Sequence, residues 1–347
     1  MDYKQSGVDI DAGNEVVRRI RSLARGTATP GVLSDIGSFG GLFHLASTGL
    51  SDPVLVSSAD GVGTKLRVAF MTGVHTSIGV DLVNHCVNDI LVQGAIPLFF
   101  LDYLATGRLN PDVAVQIVEG LARACKENAC ALLGGETAEM PGFYADGEYD
   151  VAGFIVGAVS RDAVIDGRRI APGDVLIGLP SSGLHTNGYS LARRIAFDIA
   201  RLSPSSRVPE LSMSIGDALL VPHRSYLPVI RPLLGERGGD GASLVKGMAH
   251  ITGGGITDNL PRVLPAGTSA AIDRSTWTPP AIFQWLKRTG NVPDDDMLRT
   301  FNMGVGLIVV CAARDEARLL SLLRSAGESG AVKIGEIRGG GEGVVYG

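Results

Sequence analysis

The residues with the clearest capacity for chemistry form one short run, Asp60-Gly61-Val62-Gly63-Thr64-Lys65, one residue after the apolar stretch Val54-Leu55-Val56-Ser57-Ser58. A carboxylate at a strand end, glycines that let backbone N–H groups approach phosphate oxygens, and a lysine to neutralise charge are the parts of an anion-binding turn. The run is not a Walker A loop, whose G-x-x-x-x-G-K-[ST] spacing occurs nowhere in the chain. Nor is it a dinucleotide fingerprint, because Leu66 stands where the third glycine belongs. Taken alone, the hexapeptide reads equally well as an ordinary turn with a solvated lysine.

Other stretches carry matching chemistry. From Asp81 to Gln93 the apolar residues Leu82, Val83, Cys86, Val87, Ile90 and Leu91 recur at helical spacing. This predicts a helix with Asp81, Asn84, His85, Asn88 and Asp89 together on its polar side. Short Asn, Asp and His are poor helix formers, so their collection here suits fixed ligand geometry better than a solvated face. Gly134-Gly135-Glu136-Thr137-Ala138-Glu139-Met140 reads as a glycine-rich turn after a strand, with Glu136 the stronger ligand candidate and Glu139 facing solvent. Asp60, Asp89 and Glu136 could form an oxygen-only site, which with phosphates fits Mg²⁺ rather than zinc. In the second half, Ser182, Gly183, His185 and Asn187 lie in Ser181 to Ser190, between a strand and a helix start that would stabilise an anion. Simple helix capping is the plainer alternative there. Thr252, Gly253 and Gly254 lie in a second such stretch, His250 to Ile256, where three glycines before a helix suggest a concavity for phosphate.

These groups need a frame to hold them, and the patterning outlines one. Strands are expected at Val54–Ser58, Pro97–Leu104, Ala129–Leu133 and Asp150–Val159, with Asn110-Pro111 opening a helix that runs to about Asn128. Strands alternating with helices make this half α/β or α+β. The polar run Asp166 to Asp174 precedes a new apolar strand, Val175 to Leu179, which places a domain boundary near 166: a first domain over 1–165 and a second over 166–347. Beyond it helices are expected near Gly188–Leu202, Ala218–Leu234 and Ile256–Val263. A terminal β-α-β follows at Gly306–Ala312, Asp315–Ala326 and Val332–Ile337.

Composition agrees with two folded domains: 347 residues, 45% hydrophobic, with a mean hydropathy of +0.22. A net charge of −5 gives no reason to expect nucleic acid or an anionic membrane as partner. Four cysteines without a C-x-x-C pair indicate neither a zinc ribbon nor a disulfide framework, and a cytoplasmic setting fits. No apolar stretch approaches the ~18 residues of a spanning helix. The polar, acidic start does not read as an export signal.

Together, several blocks resemble a known family. They are Gly7-Val8-Asp9-Ile10-Asp11-Ala12-Gly13, Asp60 to Lys65, Cys86-Val87-Asn88-Asp89, Pro97 to Tyr103, Gly134 to Pro141, Ser181 to Ser190, His250 to Gly255 and Phe301-Asn302-Met303-Gly304-Val305-Gly306. In this order, over essentially the whole chain, they look like the phosphoribosylformylglycinamidine cyclo-ligase (AIR synthetase) family of the PurM-like ATP-binding superfamily. The resemblance implies ATP-dependent closure of formylglycinamidine ribonucleotide (FGAM) to aminoimidazole ribonucleotide (AIR), with ATP and Mg²⁺ as cofactors. It implies a homodimer whose first domains build a shared β-barrel, with nucleotide held between that region and the second domain. It places Asp60, Gly61, Gly63, Thr64, Lys65, Asp89 and Glu136 at positions for nucleotide and metal, with Asn88, Gly135 and Thr137 beside them. His185 falls at a position for phosphate or substrate, where it is expected to bind the transferring phosphoryl group or carry a proton. Arg21 stands where relatives carry a lysine in the first helix, offering a planar fork instead of a point charge. A selenophosphate synthetase would need a cysteine in its N-terminal glycine-rich segment, whereas the first here is Cys86. The remaining alternatives are a kinase of another small phosphorylated metabolite, in the manner of thiamine-phosphate kinase, and a catalytically silent nucleotide-binding regulator.

Overall fold

The computed structural model describes residues 9–347, so Gly7 and Val8 of the first motif lie outside the described residues. Contacts divide the chain into one unit up to Ile90 with Ala95–Ser160 and another of Leu91–Gly94 with Arg161–Gly347. The passage at Ser160/Arg161 falls a few residues before the position that turn composition suggests.

The first unit begins with α1 (Ile10–Arg25), capped by the Asp9 carboxylate, which accepts from the backbone N–H groups of Asp11 and Ala12. There follow β1 (Pro53–Gly61), α2 (Leu66–Thr72), α3 (Thr76–Leu91), β2 (Ile96–Thr106), α4 (Pro111–Glu127), β3 (Ala131–Glu139) and β4 (Tyr149–Ser160). They form a four-stranded sheet in the order β1-β4-β2-β3. The β2 and β3 strands are parallel and joined by α4, a right length for a crossover helix, while β4 runs antiparallel to both β1 and β2. α4 starts where Asn110 caps it and Pro111 sets φ, as the sequence suggests.

α3 and α4 cross at two glycines. A Cβ on Gly79 would stand 2.2 Å from Ile117 O, and one on Gly120 would stand 2.0 Å from Thr76 O. The polar side of α3 is enclosed separately: Asp81 pairs with Lys65, His85 meets Asp60 and Asn84 meets Asn128, so that Asp81, Asn84, His85 and Asn88 are all buried while Asp89 stays partly exposed. Helices cover one side of the sheet, and on the other Phe43 packs on Phe99, with ring centroids 5.5 Å apart, without covering the rest. Odd residues of β1 and even residues of β4 point away from the helices, leaving Leu55 56% and Phe154 45% exposed beside Tyr103 of β2. The glycine-rich segment expected to be a turn is strand instead, because Gly134–Glu139 pairs residue for residue with Leu101–Thr106. Gly135 is needed there, since its Cβ would fall 2.3 Å from Asp102 Oδ1.

The second unit contains β5 (Val175–Pro180), α5 (Tyr189–Arg193), the hairpin β6 (Arg207–Val208) and β7 (Met213–Ser214), α6 (Ile215–Leu220), α7 (Leu227–Ile230), β8 (Gly247–His250) and α8 (Gly255–Asn259). β9 (Thr268–Ile272), α9 (Ala281–Gly290), α10 (Asp294–Thr300), β10 (Val305–Cys311), α11 (Glu316–Ser325), β11 (Val332–Gly339) and β12 (Val344–Tyr346) complete it. A six-stranded sheet runs in the order β12-β9-β11-β5-β10-β8. Its core gathers Leu176, Ile251, Ile256, Leu260, Ile308, Val310, Ile334 and Ile337. The terminal β-α-β is split: β10 and β11 both pair antiparallel with β5, which lies between them. The helix expected over 218–234 is broken, because Pro222 disfavours helical backbone at Val221, whose ψ is 123°. The one expected over 188–202 passes from α5 into a π-helical stretch at Arg194–Ile199.

Candidate active site

In the first unit the strand end of β1 faces α3. Asp60, side chain 43% exposed, accepts from His85 Nε2 at 2.8 Å, and Asp89 Oδ2 lies 3.6 Å from the same nitrogen. Ser58 Oγ donates to Asp89 Oδ2 at 3.0 Å. Two carboxylates thus converge on one imidazole nitrogen. Burial opposes the charged form of the His85 ring, yet the bond to Asp60 and the charges of Asp89, Asp60 and Asp81 outweigh it, and its pKa is raised. Burial likewise acts to raise Asp60, but His85 and the Gly61 N–H prevail and lower it. Gly63 follows at φ +63° with open space where a Cβ would point, so a ligand can come close to backbone between Gly61 and Thr64.

Lys65 does not project into this opening. It is fully buried, with Nζ 2.9 Å from Asp81 Oδ1 and 2.8 Å from Oδ2. Desolvation lowers its pKa and Asp81 opposes the drop. An ammonium in the interior must keep its counter-charge, so the expected phosphate contact from Lys65 is corrected to an internal ion pair that fixes α2 against α3. Asn84 is also spent on packing, accepting from Asn128 Nδ2 at 2.9 Å at the end of α4. Asn88 is buried beside Asp89 on the same helix.

Glu136 does not join Asp60 and Asp89 within one chain. Asp60, Gly153, Asp102 and Gly135 form one row across the four strands, and Gly61, Ala152, Tyr103 and Glu136 form the next. Successive rows point to opposite faces. Glu136 is therefore on the open face and at the far edge, while Asp60 faces α3. Thr137 shares the helix side with Leu104. Glu139, expected to face solvent, instead accepts from the backbone N–H of Asp9 and Leu109, both at 2.7 Å. Arg21 is exposed on α1, its Nη2 3.5 Å from where a Cβ of Gly37 would be.

In the second unit the Ser181–Asn187 turn is knit internally. Ser182 N–H donates to His185 Nε2 at 3.1 Å, and Ser182 Oγ donates to Pro222 O at 2.6 Å. Asn302 Nδ2 and Ser181 Oγ both donate to Gly183 O. His185 is fully buried at φ +61°. With Nε2 taken by Ser182, the ring helps to hold the turn. Asn187 Oδ1 lies 3.3 Å from the Cβ direction of Gly253, which brings the turn and the glycine loop side by side, and Asn187 Nδ2 is buried without an acceptor. Thr252 Oγ1 is used locally, on Asn259 Oδ1 at 3.1 Å, while Gly254 takes φ +97°. His223, which sequence reasoning missed, stacks on His185 with ring centroids 3.9 Å apart. Pro222, a helix breaker inside an assumed helix, was the signal that could have placed His223 in a loop.

The chain matches two family models: AIR synthase related protein, N-terminal domain, over residues 46–159, and its C-terminal domain over residues 171–347. It is 53% identical to the phosphoribosylformylglycinamidine cyclo-ligase of Trichlorobacter lovleyi, covering 97% of this chain and 94% of that one. The enzyme of the same name from Desulfitobacterium hafniense is 52% identical over 99% of this chain and 98% of its own. Among solved structures, thiamine-monophosphate kinase from Stenotrophomonas maltophilia K279a superposes with a TM-score of 0.66 at 19% identity, covering 96% and 95% of the two chains. The hydrogenase maturation protein HypE in complex with ATP gives 0.65 at 18% identity, covering 95% and 90%. At such identities the structural likeness speaks for the fold alone.

Proposed function

The chain belongs to the phosphoribosylformylglycinamidine cyclo-ligase family, and from that premise we infer that it converts FGAM and ATP to AIR, ADP and phosphate in purine biosynthesis. The observation that carries this reading is 53% identity spanning 97% of the chain to a relative of that name.

Two displacements complete the reaction. The formyl oxygen of FGAM attacks the γ-phosphorus and ADP leaves, giving an imino-phosphate. The amidine-side nitrogen then attacks the same carbon, and phosphate departs with the former formyl oxygen as the ring closes. No protein nucleophile is required, so the chain's task is positioning and charge neutralisation. Asp60 and Asp89 would hold Mg²⁺. Their oxygens already converge on one ring nitrogen, that of His85, and both are partly exposed, which suits an ion that keeps several waters. Bound there, Mg²⁺ supplies positive charge against the triphosphate. Backbone N–H groups around Gly61–Thr64 orient the phosphates, and Gly63 lets them approach. On the second unit, the Ser182–Asn187 turn and the Thr252–Gly254 loop offer the polar groups and open backbone that a substrate phosphate needs.

The open face with Leu55, Tyr103 and Phe154 is where a second copy would close a barrel and bury the apolar patch. Glu136 lies on that face, so a ligand role for it belongs to the dimer and not to the Asp60–Asp89 pair. The reading is tested by ADP release with Mg²⁺ when FGAM or thiamine phosphate is offered: turnover with FGAM alone is expected. Asp89→Asn should lower kcat at least ~10²-fold with an unchanged circular dichroism spectrum, the usual worth of one charge-stabilising contact. Turnover of thiamine phosphate, or ATP binding without turnover, would overturn the reading.

A further inference from the structure

Three histidines gather in the second unit from separate stretches: His185 after β5, His223 in the loop between α6 and α7, and His250 at the end of β8. His223 Nε2 and His250 Nε2 are 3.0 Å apart, and both rings are buried. Two ring nitrogens at that distance hold one hydrogen between them, since two N–H groups would collide and two lone pairs would repel. The other nitrogen of His223, Nδ1, lies 3.4 Å from Thr186 Oγ1, a hydroxyl able to donate or accept. The two bonds are therefore linked. If Thr186 donates to Nδ1, His223 donates from Nε2 and the proton of neutral His250 sits on Nδ1; if Thr186 accepts, the arrangement reverses.

The fold reserves space for this cluster. On β10, a Cβ at Gly306 would stand 2.1 Å from Tyr226 Oη and 2.7 Å from His185 Cε1, so only glycine leaves room for the rings. The His185 ring lies flat on His223 at an interplanar angle of 17°. That stacking argues against one metal shared by all three, because imidazole lone pairs lie in the ring planes and parallel rings cannot both aim at an ion between them.

We propose that His223 is a positioning residue, which through the shared hydrogen sets the nitrogen of His250 that carries the proton where β8 enters the Thr252–Gly255 loop. The proposal rests on reading this unit as the substrate and phosphate side of the cyclo-ligase. Ring closure takes a proton from the attacking nitrogen, and a histidine of fixed tautomer offers a lone pair or an N–H at a set place.

The test uses two variants of the full chain. His223→Phe keeps a ring to stack on His185 but cannot hydrogen-bond, whereas His223→Gln keeps a polar group near the position of Nε2. Phe should lower kcat about 10-fold with the KM for ATP within about twofold of wild type, and Gln should restore most of the loss. In ¹⁵N imidazole spectra, His250 should show a single tautomer in wild type and Gln, and averaged nitrogens in Phe. Wild-type kcat and an unchanged His250 spectrum in Phe would overturn the proposal, as would equal losses in both variants with the His250 spectrum intact. If wild type fails to turn over FGAM, the family reading fails, while the spectra still decide the shared hydrogen.

Discussion

At the scale of single residues, the Lys65–Asp81 ion pair lies in the interior of the first unit. Lys65 and Asp81 both look like phosphate or metal contacts, yet they spend their charges on each other with no exposure of either side chain. Lys65→Met should destabilise the chain by roughly 3–5 kcal/mol, because Asp81 is left as an uncompensated buried charge. Adding Asp81→Leu should recover most of that loss in a denaturant titration; if the double variant is no more stable than the single one, the pair is not the internal contact described. Asp102 gives a pH-dependent counterpart. Desolvation pushes its carboxyl up to about 7, well above the ordinary ~3.9 of an unfolded chain. The folded state thus holds this proton more tightly, so the stability it contributes is complete below about pH 4 and is lost as pH rises through 7. Asp102→Asn should gain stability over wild type by roughly 2–4 kcal/mol between pH 4 and 7.5, read from urea midpoints. A constant difference across that range would contradict it. The nearness of Asp60 and Asp89 was legible because a strand-end carboxylate and a helix of Asn, Asp and His are each unusual. The pairing of Lys65 with Asp81 was not, since nothing local says which side chains face inward once α4 is docked.

At the scale of elements, local signals worked where local chemistry decides and failed where packing does. Asn110-Pro111 opens α4 by its own capping geometry. Gly134-Gly135 reads as a turn because glycine usually punctuates, but here it is strand, the missing side chain making room for the Asp102 carboxyl beside it. The polar face expected on α3 is mostly taken up by partners in the same unit, Lys65 on Asp81 and Asp60 on His85, while its glycine side packs on α4. Gly79→Ala should lower stability by about 1–3 kcal/mol, because a methyl meets backbone atoms of α4 that cannot turn aside. An unchanged Tm would mean that the helices are further apart than described. The histidine cluster was hidden for a related reason: a helix assumed to be continuous through Pro222 leaves no loop to bring His223 back toward β8.

At the scale of the whole molecule, two α/β units and an ordered set of motifs were legible, and the family follows from near-complete coverage by relatives of one name. The proposed assembly rests on the resemblance, and the exposed apolar sheet face that would suit it is not visible in composition. Phe154→Asp should shift sedimentation from dimer to monomer, because a carboxylate at the centre of an apolar interface must be desolvated; a wild-type sedimentation profile would remove the proposed second copy from that face. In the proposed reaction the substrate oxygen, activated by ATP, leaves as phosphate when the ring closes. This departure is tested most directly with FGAM labelled with ¹⁸O at the formyl oxygen, incubated with this chain, ATP and Mg²⁺. The expected result is one labelled oxygen in the inorganic phosphate for each AIR formed; label released to water, or ADP formed without AIR, would contradict the account.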